Sequence, residues 1–132
     1  MSTYNLDAFV KPASVALVGA SRRAGSVGAV SARNLRSFPG PKFLVNPHLQ
    51  ADAAAGVYCQ VTDLPAAPDL AVIAVPAAGV PGVVADLGRL GTRAAVVLSA
   101  GFAESSAGDA GRSLRDELLA AAHATGMRIL GP

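Results

Sequence analysis

The segment from Val15 to Gly28, Val-Ala-Leu-Val-Gly-Ala-Ser-Arg-Arg-Ala-Gly-Ser-Val-Gly, constrains this chain more than any other. Four apolar residues read as a short buried strand that Gly19 closes. A loop bearing glycine and arginine follows, and then the start of a helix. Such a junction binds phosphate well. The first N–H groups of a helix lack intrahelical acceptors, and the helix dipole favours negative charge beside them. Gly25 and Gly28 allow a ligand and a neighbouring strand to approach closely, and Arg22 and Arg23 add positive charge at the rim. The segment predicts a nucleotide-type ligand; a plain strand-to-helix turn with surface arginines is the alternative.

The rest of the chain continues the alternation. Apolar strands are predicted over residues 14–19, 42–46, 57–59, 70–75, 94–98 and 127–130, with helices over 25–38, 80–90 and 107–125. A short lead-in helix is expected over 6–10, ended by Pro12, and one helical turn over 51–55. Val27, Val30, Ala32 and Leu35 are expected on the inner face of the first long helix, and Leu114, Leu118 and Leu119 on that of the last. Pro39-Gly-Pro41 stops the first helix, and Gly91 and Gly126 stand where helices close in a left-handed residue. Strands this apolar, without alternation, predict burial on both faces. Right-handed crossovers then give an α/β, Rossmann-like doubly wound, mainly parallel sheet with helices on both faces. Ligands bind such sheets beyond the C-terminal strand ends, where the loops 19–28, 46–50, 60–64, 76–82 and 99–105 gather.

Composition narrows the class. With 52% hydrophobic and 15% charged residues the chain is not disordered, and 132 residues make one domain with a real core. A net charge of +2 from scattered basic residues argues against nucleic acid as a partner. The single cysteine, Cys59, excludes an internal disulfide, fits a cytoplasmic location, and reads as a small buried side chain. The polar N-terminus does not resemble a signal peptide, and no apolar run reaches the ~20 residues of a membrane span. The sequence stops on a fresh strand at Gly131-Pro132, which predicts an N-terminal fragment of a longer multidomain protein.

The loop spacing discriminates among nucleotides. A dinucleotide fold shows G-x-G-x-x-G after its first strand and an acid closing its second. Here five residues separate Gly19 from Gly25, and the second strand ends Leu44-Val-Asn46-Pro47 without a carboxylate. Both features count against NAD. An NADP-binding oxidoreductase domain stays open, since Arg22 or Arg23 can face a 2′-phosphate. Gly25-Ser26 lacks the lysine of a Walker A loop. Ser99 lacks the G-x-S-x-G setting of a nucleophile, His123 reads as a solvated helix residue, and the carboxylates show no metal-ligand spacing. No catalytic or metal-binding residue is assigned.

Six segments in register resemble the CoA-binding domain of the NDP-forming acyl-CoA synthetases, the superfamily of the succinyl-CoA synthetase α subunit. They are Phe9-x-x-Pro12-x-Ser14-Val-Ala-Leu-Val-Gly-Ala-Ser21, Gly25-Ser-Val-Gly28, Val45-Asn-Pro47, Ala71-Val-Ile-Ala-Val-Pro-Ala77, Ser99-Ala-Gly-Phe-x-Glu104 and Ile129-Leu-Gly-Pro132. The same domain opens large bacterial protein lysine acetyltransferases of the GNAT type. The resemblance covers nearly the whole chain and implies CoA or acyl-CoA as ligand. It implies that Ser21, Arg22, Gly25, Ser26, Val27 and Gly28 hold the phosphates, with Gly19 and Arg23 in the same loop. It places Val75, Pro76 and Ala77 along the pantetheine, joined by Leu98, Ser99, Ala100 and Gly101 from the next strand. After Asn46-Pro47 many members carry a lysine; here His48 stands there and supplies a hydrogen-bond donor in place of a fixed charge. Glu104 matches a family position and reads as a helix cap before an interdomain contact. The family's phosphorylated histidine lies in a further domain, so residues 1–132 are expected to bind CoA as one domain without catalysing ligation. A ligase and an acetyltransferase parent both fit, as does a stand-alone CoA or nucleotide sensor.

Overall fold

Val15, Leu17 and their neighbours pair on both sides with other apolar runs, and every pairing between strands is parallel. The computed structural model describes residues 6–21, 23, 25–99 and 108–131. Its strands are β1 (Val15–Val18), β2 (Lys42–Val45), β3 (Val57–Tyr58), β4 (Leu70–Ile73), β5 (Ala94–Val97) and β6 (Arg128–Leu130). Its helices are α1 (Leu6–Val10), α2 (Val27–Asn34), α3 (Val80–Leu90) and α4 (Gly108–Thr125). The strands form one sheet in the order β3-β2-β1-β4-β5-β6. The chain therefore winds outward from β1 to β3, returns to β4 on the other side of β1, and winds outward again to β6. That reversal opens a crevice between the C-terminal ends of β1 and β4. The fold is the expected Rossmann-like α/β sheet.

The two faces of the sheet are packed unequally. Ala16, Val18, Val45, Ala71, Ile73, Ala95 and Val97 face α3 and α4, and meet Val80, Val84, Leu87, Leu118 and Ala122 in one buried cluster. Helix α3 ends at Gly91 with φ 111°, whose N–H donates to the Gly88 and Leu87 carbonyls, as the sequence predicts. A Cβ at Gly88 would fall 2.2 Å from the Thr125 hydroxyl, so α3 and α4 touch closely there. The opposite face buries Val15, Leu17 and Ala94 beneath Ala8 of α1 and the start of α2.

Cover on that second face is thin, which corrects the expectation of strands buried on both sides. Strand β1 is fully buried, but β4 alternates, and Leu44 of β2 is only half-buried. The reason lies in α2. It has eight residues, gives way to a tighter turn over Leu35–Ser37, and buries only Gly28. Val27 and Val30, expected inward, are 54% and 36% exposed, because seating Gly28 against β1 turns them outward. Leu119 of α4 is likewise exposed, while Leu118 carries the contact. The lead-in helix is pinned from outside: Arg93 pairs with Asp7 at 3.2 Å, and Asp69 accepts the Ala13 N–H at 2.8 Å. Among the described residues, no helix is long and apolar enough to cross a membrane.

Candidate functional site

Two cavities open at the C-terminal end of the sheet and share Gly19 and Ala74 as a common wall. The first, of about 560 Å³, is the loop between β1 and α2: Ser21, Arg23, Gly25, Ser26, Val27 and Gly28 line it. Two serines shape this loop. Ser21 Oγ accepts the Arg23 N–H at 3.0 Å, and Ser26 Oγ donates to the Arg23 carbonyl at 2.8 Å. Ser26 is also the N-cap of α2, accepting the Ala29 N–H at 3.1 Å. The N–H groups of Val27 and Gly28 are thereby left without intrahelical acceptors, at the positive end of the helix dipole. Gly25 adopts φ 79° with nothing within 4 Å of its Cβ position, an open turn facing the cavity. Gly28 is required for packing: a Cβ there would stand 2.1 Å from the Gly19 carbonyl oxygen.

The second cavity, of about 470 Å³, lies between the ends of β1, β2, β3 and β4 and the first turns of α3. Val18, Val45, Val75, Pro76 and Val83 give it apolar walls, and Asn46, His48, Gln60 and Asp86 give it polar groups. Asn46 ties the two cavities together. Its amide Nδ2 donates to the Ala20 carbonyl at 2.7 Å, and its Oδ1 accepts the His48 N–H at 2.8 Å. The Asn46 side chain thus positions the loop and the turn. Pro47 and exposed His48 stand at the rim.

The sequence-predicted residues fall into three groups. Gly19, Ser21, Arg23, Gly25, Ser26, Val27 and Gly28 converge on the loop cavity, and Asn46, Pro47, His48, Val75 and Pro76 on its neighbour. Ala77, Leu98 and Ser99 are outside both. Ala77 packs against the core, Leu98 is 45% exposed beyond β5, and the Ser99 hydroxyl donates to the Val75 carbonyl. Arg22, Ala100, Gly101 and Glu104 lie outside the described residues. His123 is exposed on α4. Cys59 departs from the inert core role expected of it: it is half-buried, lines the second cavity, and its Sγ lies 3.5 Å from the Leu49 carbonyl.

Gln60, Val61, Val83 and Asp86 also line that cavity and were not singled out from sequence. Gln60 and Val61 open the 60–64 loop that the sequence places at the ligand end of the sheet, though neither residue stands out there individually. Val83 and Asp86 sit inside α3, where only the crossover geometry turns them toward the cavity.

Known proteins share this chain's sequence pattern and its fold. The CoA binding domain family matches residues 13–132. An ADP-forming acetate–CoA ligase I of Archaeoglobus fulgidus is 41% identical over 121 residues, covering 92% of this chain and 17% of the ligase. The α subunit of an ADP-forming acetate–CoA ligase I of Pyrococcus furiosus is 36% identical, over 97% of this chain and 29% of the subunit. Among solved structures, an acetyl-coenzyme A synthetase 1 of Ca. Korarchaeum cryptofilum, described as dinucleotide forming, superposes with a TM-score of 0.84. It is 37% identical, over 96% of this chain and 27% of that one. The chain thus spans less than a third of these relatives. A glycine- and serine-built loop at the switch point of a parallel sheet, and a family match over residues 13–132, lead to one conclusion: the chain belongs to the CoA binding domain family.

Proposed function

We propose that residues 1–132 form the CoA-binding domain of an ADP-forming acyl-CoA synthetase of the cytoplasm, with CoA or acyl-CoA spanning both cavities. The shared wall at Gly19 and Ala74 carries this reading, because it joins a phosphate-binding loop to a pocket of nucleoside size. The diphosphate lies on the N–H groups of Val27 and Gly28, with Arg23 at the rim. The adenosine enters the second cavity, where Asp86 and Gln60 supply acceptors for an exocyclic amine and His48 faces the ribose phosphate. The pantetheine leaves over Val75 and Pro76 toward Leu98 and Ser99. A carboxylate activated elsewhere in the protein would meet the thiol beyond that point.

The ligand assignment is tested by thermal shift with CoA, acetyl-CoA, NAD, NADP and ATP. At a hundredfold excess over its dissociation constant, CoA should stabilise the fold by ~2.7 kcal/mol. A clear shift with NADP and none with CoA overturns the assignment.

The domain alone is expected to bind without turning over. Ligation in this family passes phosphate through a histidine, and a thiol held without an activated partner lacks the effective molarity that makes its attack fast. Formation of ADP and acetyl-CoA from ATP, acetate and CoA by residues 1–132 overturns that expectation. The acetyltransferase parent shares the CoA site, so the coding sequence beyond Pro132 distinguishes the two.

A further inference from the structure

We propose that the hollow between α2 and the β2–β3 edge is a second ligand site, for a small molecule with an apolar body and one anionic end. Topology makes the hollow. The link from β2 to β3 carries a single helical turn, Ala53–Ala55, so no full helix of its own covers that part of the sheet. Helix α2 closes only one side, and does so with Ala29 and Ala32. A cavity of about 420 Å³ remains, with Leu44, Leu49 and Val57 as its other apolar walls and Arg36 among its lining residues. Leu44 and Val57 are register partners, so they present one continuous apolar surface.

This hollow is separate from the CoA cavities. Leu44 lines it, whereas the next residue, Val45, lines the adenosine cavity on the opposite face of the sheet. Ser21 is the one lining residue it shares with the loop cavity, and it touches the second cavity through two side-chain-to-backbone contacts, Asn46 to the Ala20 carbonyl and Cys59 to the Leu49 carbonyl. The proposal therefore does not rest on CoA as the ligand.

Its chemistry follows from the wall. Arg36 is exposed, and its guanidinium makes no ion pair or hydrogen bond among the described residues. A guanidinium recognises carboxylate in a bidentate fashion, and the aliphatic walls exclude water from whatever the carboxylate carries. Acetate has no apolar body to cover the Leu44, Leu49 and Val57 walls. A medium-chain or arylalkyl carboxylate satisfies both ends.

The probe is sodium hexanoate, followed by NMR amide shifts of the chain with and without saturating CoA. Hexanoate should move the amides of Ala29, Ala32, Leu44 and Val57 whether or not CoA is present, and neutral hexanamide should bind several-fold more weakly, up to about fivefold, at low salt. Arg36→Gln should weaken hexanoate by several-fold, up to about fivefold, at low salt, while leaving the melting temperature and CoA affinity unchanged. Ala32→Leu, which fills the hollow, should abolish it. Because Arg36 is exposed, its replacement decides the question even if the larger leucine disturbs the fold. Displacement of hexanoate by CoA, equal binding of hexanamide, binding indifferent to Arg36→Gln, or no shifts at millimolar hexanoate would each overturn the proposal.

Discussion

The two cavities that meet at Gly19 and Ala74 are made from different materials. The loop cavity is built from backbone: glycine 25, glycine 28, the free N–H groups of α2, and two serines that bond to main chain. The second cavity is built from side chains delivered by four strand ends and α3. A backbone-built site recognises charge and shape common to any diphosphate, and it tolerates no added Cβ at its closest contacts. A side-chain-built site discriminates among nucleosides and can change residue by residue. If CoA spans both cavities as proposed, affinity should come chiefly from the loop and selectivity chiefly from its neighbour.

The harshest test acts where the two are joined. Gly19 has φ 104°, and a Cβ there would lie 2.7 Å from both the carbonyl carbon and oxygen of Ala74. Gly19→Ala combines a left-handed backbone cost of ~1–2 kcal/mol with an overpacking cost of ~1–3 kcal/mol. Denaturant unfolding should show the summed loss, and CoA titration should show binding reduced by more than tenfold. A variant that melts and binds like the parent would mean that the cavities do not share this wall.

Charge at the loop comes next. Arg23 is exposed, lines the loop cavity, and has its backbone held by Ser21 and Ser26. Arg23→Glu should weaken CoA by about tenfold at low ionic strength, and the deficit should shrink as salt screens it. Calorimetric titration at two salt concentrations reads this directly. Equal affinity at both would show that the arginine points away from the ligand.

The loop was legible in the sequence, and much of its neighbour was not, for a physical reason. Glycine, serine and the helix start act within about ten consecutive residues, so Gly25, Ser26 and Gly28 announce their roles locally. Asp86 and Val83 reach the second cavity only because α3 crosses back over β4, which no local pattern encodes. The same limit explains α2. Val27 and Val30 have the hydrophobicity of an inner face, but the tertiary demand for a bare glycine against Gly19 rotates the helix and exposes them. Helix α3 was read to the residue because its apolar stripe and its closing Gly91 agree with each other.

A subtler change separates the loop's shape from its charge. Ser26→Ala removes the N-cap acceptor and the bond to the Arg23 carbonyl, but adds no bulk. Loss of a helix N-cap costs about 1 kcal/mol, and chemical denaturation should register that amount. CoA and ADP should lose affinity together, since both use the diphosphate seat. Selective loss of CoA alone would mean that Ser26 contacts a part of the ligand that ADP lacks, and the division between the cavities would have to be redrawn.

The finest test exchanges the rim residue of the second cavity. His48 is exposed at its mouth, and its backbone N–H is held by Asn46 Oδ1, so a new side chain at this position starts from a fixed point. His48→Lys places a permanent cation where the ribose phosphate of CoA is expected. Exposed charge pairs contribute only ~0.2–1 kcal/mol, which corresponds to an affinity gain of about 1.4- to fivefold. The gain should be confined to CoA at low salt, because dephospho-CoA has the same adenosine and diphosphate but lacks the 3′-phosphate. Side-by-side titration of the two ligands decides the matter. If dephospho-CoA gains as much as CoA, the lysine is acting on the diphosphate across the shared wall, and the two cavities are electrostatically one site.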